Sequence, residues 1–186
     1  GILAIPDGGP LSSTGRKRGY AQMRRVTGPD YMKKCLELGL DKGWRHYFYG
    51  GTRQTLDKLV DILPQRYPGI QIAGMYSPPF RPLSAQEDRA AVAAINDAKP
   101  DFVWVGLGAP KQEIWMNGHQ GQVHGLMVGV GAAFDYEAGN IHRAPQWMQS
   151  HNLEWLYRLM QDPKRLLGRY LRTNTVYLLQ AQLRGK

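Results

Sequence analysis

Short apolar runs alternate with longer segments of helical period along most of the chain. The runs fall at 2–5, 47–49, 70–75, 102–107 and 126–130, and each has the length and the flanking residues of a buried strand. Between them, 52–66 carries Leu56, Leu59, Val60 and Leu63 at helical spacing, and 84–98 opens with Ser84 three residues ahead of Glu87, a capping-box pattern. Pro29 marks the first turn of another short helix, on which Cys35 sits beside Leu36. Such alternation predicts an α/β fold, a mostly parallel sheet with helices on both faces.

After about Pro145 the strand-like runs stop and a helical stretch continues to the end. Asp162-Pro163 should divide it into two helices, because proline removes a ladder hydrogen bond and restricts the residue before it. The predicted organisation is therefore an α/β domain over 1–144 and a helical appendage over 145–186. The chain opens on an apolar run with no initiator methionine, which predicts that it is a portion of something longer.

Composition narrows the class. The 186 residues include one cysteine, 42% hydrophobic residues and an ordinary 21% of charged ones, which excludes a disulfide scaffold and a disordered chain. No stretch reaches the roughly 18 apolar residues that a spanning helix needs, and 1–6 is too short for a signal peptide core. The net charge of +9 predicts an anionic partner: nucleic acid, a phosphorylated metabolite or an anionic lipid surface.

Location of that charge matters. From Arg143 onward eight cations face two acids, and on a helix Arg165, Arg169 and Arg172 share one side while Leu166, Leu167, Tyr170 and Leu171 supply an apolar surface. A basic amphipathic element of this kind suits an anionic membrane, with Trp147, Trp155 and Tyr157 at the interface; a helix docked on the core has the same pattern. A second cluster, Arg16, Lys17, Arg18, Arg24 and Arg25, contains no acid.

Ligands of open parallel sheets bind beyond the carboxyl ends of the strands, so the residues after each run are the candidate chemistry. Asp7 follows the first run within Pro6-Asp7-Gly8-Gly9, a carboxylate at a strand tip or a plain Asp-Gly turn. Gly50-Gly51-Thr52 leads into a helix; its glycines admit a close ligand and its helix start favours phosphate, although a tight turn uses the same residues. Ser77-Pro78-Pro79-Phe80 is a stiff corner that either presents an aromatic ring to a base or sugar or merely connects. Gly106-Leu107-Gly108-Ala109-Pro110 delivers Lys111, Gln112 and Glu113 to a helix start. In Gly129-Val130-Gly131-Ala132-Ala133-Phe134, Phe134 stands where a dinucleotide fingerprint needs a small residue, which argues against a nicotinamide site. Asp135 and Glu137, two apart, fit either a metal-binding carboxylate pair or one carboxylate bonding a ribose or base.

The five histidines show no metal spacing and predict surface or core roles, and Cys35 predicts a small buried hydrophobe. No Gly-x-Ser-x-Gly elbow is present for acyl transfer.

In order and spacing, Asp7-Gly8, Arg25-Val26-Thr27-Gly28-Pro29-Asp30, Tyr49-Gly50-Gly51-Thr52, Ser77-Pro78-Pro79-Phe80, the run from Gly106 to Glu113, Gly131-Ala132-Ala133-Phe134-Asp135 and Glu154-Trp155-Leu156-Tyr157-Arg158-Leu159 together resemble the WecG/TagA/CpsF family of bacterial glycosyltransferases. The resemblance covers nearly the whole chain. It implies a Rossmann-like domain that transfers a sugar, N-acetylmannosamine, its uronic acid or glucose, from a UDP-sugar to a polyprenyl-diphosphate-linked saccharide. Transfer would invert the anomeric centre at the cytoplasmic face of the plasma membrane, in surface polysaccharide or teichoic acid synthesis.

The same resemblance implies roles for single residues. Asp7 matches the general base and Arg25 the cation beside the leaving diphosphate. Gly50, Gly51, Thr52 and Phe80 match the donor side, Gln112 the group that holds sugar or phosphate, and Asp135 the one that bonds uracil or ribose. Arg158, Arg165 and Arg169 match arginines of an appendage that grips the acceptor diphosphate. No metal cofactor is implied, so arginine and backbone N–H groups would meet the leaving-group charge in place of Mg²⁺. Family members carry a segment before the Asp-Gly loop whose Thr and Asn residues contact the donor, and no residues here match it. A homo-oligomer is left open. The competing reading is a non-catalytic nucleic-acid-binding α/β domain, which the charge permits but which lacks an evident set of aromatic stacking platforms.

Overall fold

The computed structural model describes residues 3–151, 153–164 and 166–168. The chain forms two compact units, Gly1–Asn140 and Ile141–Lys186.

The first unit is built on four parallel strands, β1 (Arg45–Gly50), β2 (Gln71–Tyr76), β3 (Phe102–Gly106) and β4 (Leu126–Gly129), in the order β2-β1-β3-β4. Helices α1 (Gly9–Lys17), α2 (Gly28–Gly39), α3 (Arg53–Arg66), α4 (Ala85–Asp97), α5 (Lys111–Gly118) and α6 (Ala133–Glu137) accompany them. The central strands are apolar without alternation because both of their faces are covered. Phe48, Phe102 and Trp104 meet Met32 and Leu36 of α2, Leu56, Leu59 and Leu63 of α3, and Phe134 of α6. Tyr47, Tyr49, Val103 and Val105 point the other way, to Ala91 and Ile95 of α4 and to Trp115 and Met116 of α5.

Helix starts follow the local chemistry of the sequence. The Thr27 hydroxyl accepts from Asp30 N at 3.3 Å, that of Thr52 from Thr55 N at 3.0 Å, and that of Ser84 from Glu87 N at 3.2 Å. Glu87 returns the bond by accepting from Ser84 N at 2.8 Å, which completes the capping box read from the sequence. Val60 differs from its neighbours in the apolar series: it is 52% exposed, whereas Leu56, Leu59 and Leu63 are buried.

The run at 2–5 makes no strand over its described residues 3–5. Leu3 is 85% exposed, and the backbone bond at this segment runs from Val26 N to Pro6 O at 3.0 Å. An apolar run of strand length states that burial is favourable but does not specify a strand to pair with.

His46 and His119 are buried, and His124, His142 and His151 lie on the surface. Trp104 Nε1 donates to His46 Nδ1 at 3.2 Å, and burial pushes the His46 imidazole down to about 4. Cys35 is buried on α2, where desolvation raises its thiol.

The second unit contains α7 (Gln146–Ser150) and α8 (Glu154–Gln161), and α8 stops directly before Asp162-Pro163, as the proline requires. Arg143 ties it together: its Nε lies 3.2 Å from the buried Glu154 carboxylate and its Nη2 donates to Gln149 Oε1 at 3.1 Å. Trp147, Trp155, Met160 and Leu167 remain exposed. Arg165, Arg169, Arg172, Tyr170 and Leu171 lie outside the described residues. Among the described residues no helix is long and apolar enough to cross a membrane.

Candidate active site

The strand order reverses at β1. The chain passes from β1 outward to β2, then returns to place β3 on the other side of β1, so the loops after β1 and β3 diverge and open a crevice at the carboxyl ends. The floor of that crevice is glycine. Gly50 pairs with Gly106 in the register, and Gly51 N donates to Gly106 O at 3.0 Å. A Cβ at Gly50 would stand 2.6 Å from the Gly106 carbonyl carbon, and the Gly50 φ of 118° is one that glycine alone adopts readily. The Phe134 ring lies beneath this floor, against Phe48, with ring centroids 5.5 Å apart.

Four strand-end segments are joined around the crevice. The Ser77 hydroxyl donates to Gly51 O at 2.8 Å, which couples the loop after β2 to the loop after β1. Thr55, on the first turn of α3, donates from Oγ1 to Asp135 Oδ1 at 3.1 Å, linking the loop after β1 to α6. Gln112, 7% exposed at the start of α5, accepts from Gly131 N at 3.0 Å through Oε1 and donates to Glu113 Oε1 at 3.0 Å. It thereby fixes the loop after β3 to the loop after β4. Gly28 brings the start of α2 against the same place, since a Cβ there would meet Val130 O at 2.8 Å.

Asp7 and Arg25 form a pair ahead of α2. Arg25 Nε donates to the Asp7 carbonyl at 2.6 Å and its Nη2 lies 3.8 Å from Asp7 Oδ1, the aspartate side chain being two-thirds exposed. A single guanidinium thus holds both the backbone and the carboxylate of Asp7. Phe80 stands 90% exposed on the loop after β2, and that loop is braced by Arg81, which donates to both Glu87 oxygens at 2.8 and 2.6 Å.

The structure brings Gly50, Gly51, Thr52, Gln112 and Asp135 to one end of the sheet and pairs Asp7 with Arg25. Arg158 is half-buried on α8 of the second unit, and Arg165 and Arg169 lie outside the described residues. Asp135 and Glu137 do not act as a pair. Two positions along α6 turns them apart: Asp135 faces Thr55 and Asn140, whereas the buried Glu137 is ion-paired with Arg66 and accepts from Tyr67 Oη at 3.4 Å. This removes the shared-metal reading of the two carboxylates.

Thr55 and Asn140 carry no mark in the sequence as site residues. The one available signal is that Thr55 is polar at a position of α3 that helical period places toward the core, where it is 2% exposed.

A parallel sheet, doubly wound by helices, with its loops knitted together over a glycine floor at the switch point, defines a Rossmann-like α/β protein, a fold whose ligands bind beyond the strand ends. The chain belongs to the WecG/TagA/CpsF glycosyl transferase family, whose model matches residues 2–186. It is 35% identical over 169 residues to the N-acetylglucosaminyldiphosphoundecaprenol N-acetyl-beta-D-mannosaminyltransferase of Bacillus subtilis strain 168, covering 88% of this chain and 64% of that protein. Proteins of the same name from Staphylococcus aureus strain MW2 and Bacillus spizizenii are each 31% identical, over 87% of this chain and 62% and 61% of their own lengths. The chain therefore spans less than two thirds of the curated relatives it matches.

Proposed function

We propose that this chain carries the donor-binding and proton-transfer machinery of an inverting glycosyltransferase. It would move N-acetylmannosamine from its UDP conjugate to N-acetylglucosamine on a polyprenyl diphosphate. The observation that carries this reading is the knitted set of loops around Gly50, Gly51 and Gly106. The names of the relatives supply the sugar and the acceptor.

In this reading the donor diphosphate lies over the glycine floor. Gly51 N–H is already used by Gly106 O, so the loop contributes closeness of backbone, and the first-turn N–H groups of α3 contribute the dipole that favours phosphate. Phe80 offers a ring to the uracil or sugar, Asp135 accepts from the uridine moiety, and Gln112 holds the β4 loop in place. Asp7 takes the proton of the acceptor hydroxyl while that oxygen bonds to the anomeric carbon. The bond from that carbon to the β-phosphate oxygen breaks, and UDP leaves with the electron pair. Arg25 meets the charge that develops on the diphosphate. Because the same guanidinium holds Asp7, base and electrophilic clamp are set by one side chain.

The acceptor is anchored in lipid, so the reaction belongs at a membrane surface, on its cytoplasmic side, where UDP-sugars are made. The second unit suits that surface because it exposes Trp147, Trp155 and Met160 and its sequence also carries Arg158 and Lys164, and Arg158, Arg165 and Arg169 would hold the acceptor diphosphate. Family membership favours this reading over nucleic-acid binding.

The test is acceptor-dependent release of UDP from UDP-N-acetylmannosamine in anionic vesicles that contain N-acetylglucosaminyl-diphosphate-polyprenol. Asp7→Asn should lower turnover at least ~10²-fold, the contribution of a positioned base, and leave UDP affinity within twofold. Turnover by Asp7→Asn equal to that of the unaltered chain would overturn the assignment of the base.

A further inference from the structure

The hydrogen bonds around Asp135 have directions that the chemistry fixes completely. Thr55 Oγ1 has one proton and gives it to Asp135 Oδ1 at 3.1 Å. The contact of 2.9 Å between the Thr52 and Thr55 hydroxyls must then run from Thr52 to Thr55. Asn140 Nδ2 donates both to Thr55 Oγ1 and to Asp135 Oδ1, each at 3.0 Å. Its Oδ1 accepts from Lys58 Nζ at 2.6 Å. The ammonium settles the orientation of this amide, because the flipped form would set its NH₂ against Lys58 and its oxygen against a carboxylate.

Three consequences follow. Both donors fall on Oδ1 of Asp135, and Oδ2 accepts no hydrogen bond among the described residues, so it is the oxygen available to a ligand. The carboxylate cannot rotate without losing two bonds to different elements, one from α3 and one from the turn after α6. Thr52, which ends the glycine loop, joins the same chain, so the place proposed for diphosphate and the carboxylate proposed for uridine are one connected unit.

We propose that Thr55, Asn140 and Lys58 are positioning residues that aim Asp135 at the uridine moiety of the donor and couple it to the loop beneath the diphosphate. The proposal rests on the reading of the crevice as a UDP-sugar site. Lys58 acts at one remove: it fixes Asn140, and Asn140 with Thr55 fixes the carboxylate.

The experiment is calorimetric titration of the full chain and its variants with UDP, together with steady-state transfer. Asn140→Leu and Thr55→Val should each weaken UDP at least tenfold and raise the donor KM by a similar factor with kcat within threefold. Thr55→Ser, which keeps the hydroxyl, should restore both. A merely structural role would lower thermal stability without this split between KM and kcat, or without rescue by serine. Folded Asn140→Leu and Thr55→Val proteins that bind UDP within twofold of the unaltered chain would overturn the proposal. Should either fail to fold, Lys58→Met on the exposed side of α3 carries the test, with about threefold weaker UDP expected and an unchanged affinity overturning the coupling. Failure of the unaltered chain to bind UDP would instead overturn the underlying reading of the site.

Discussion

The ring of Phe134 occupies the volume that a side chain at Gly106 would need: a Cβ there would fall 2.7 Å from its Cε2 and 2.8 Å from its Cδ2. Phe134 is 1% exposed and also borders Gly51, so a single buried ring supports the floor on which both glycine loops rest. Gly106→Ala should therefore destabilise the protein by about 1–3 kcal/mol, the range for overpacking a filled core. Urea unfolding measures this, and pairing Gly106→Ala with Phe134→Leu should recover part of the loss. Equal stability of Gly106→Ala and the unaltered chain would contradict the packing.

His46 makes stability depend on pH. In the unfolded chain it takes up a proton near pH 6.5, whereas in the folded chain burial delays this to about 4. Between those values the unfolded state binds more protons, so stability rises with pH across the window, by roughly 3 kcal/mol in all. His46→Leu should be less stable at neutral pH, because Trp104 Nε1 loses its acceptor, yet its stability should change less between pH 4.5 and 6.5. Identical slopes for the two proteins in denaturant titrations at stepped pH would contradict this account.

Much of the fold was legible because its signals are local. The runs at 47–49, 70–75, 102–107 and 126–130 all form strands, the central two because both of their faces are covered, and Ser84 with Glu87 forms the capping box by contacts within one turn. The run at 2–5 misled because an apolar run signals only that burial is favourable and names no partner; the backbone here bonds to Val26 instead of a strand. Glycine pairs and polar residues after each strand pointed to loops that the structure joins at one end of the sheet. What escaped was the connection between loops: Thr55 to Asp135 spans 80 residues and Asn140 to Thr55 spans 85, and neither residue type announces a partner at that range. Asp135 and Glu137 fitted either a pair or a single ligand-bonding carboxylate on paper, and helical geometry turned them apart.

Arg25 should be intolerant even of lysine. A lysine keeps the charge but has one nitrogen, so it cannot hold both the Asp7 carbonyl and the carboxylate. Arg25→Lys should lose about tenfold in kcat for transfer and Arg25→Ala about 10²–10³-fold, the range for one lost transition-state donor, with UDP affinity within threefold. Steady-state transfer assays decide this, and full activity of Arg25→Lys would mean that only charge matters there.

The exposed aromatics of the second unit should govern lipid binding. Trp147→Ser with Trp155→Ser should weaken association with vesicles containing an anionic phospholipid by about tenfold, measured by sedimentation. Raised salt should weaken the unaltered chain as well, since part of the attraction is electrostatic. Vesicle binding unaffected by both changes would remove this surface from the account.

The most direct measurement is calorimetric titration of the chain with UDP and with ADP, each in Mg²⁺ and again in EDTA. A crevice that binds UDP through glycine backbone, helix start and the Asp135 network should take UDP equally well in both buffers and ADP at least tenfold more weakly. Equal affinity for the two nucleotides, or UDP binding lost in EDTA, would contradict the claim that this chain's own residues form a UDP-sugar site.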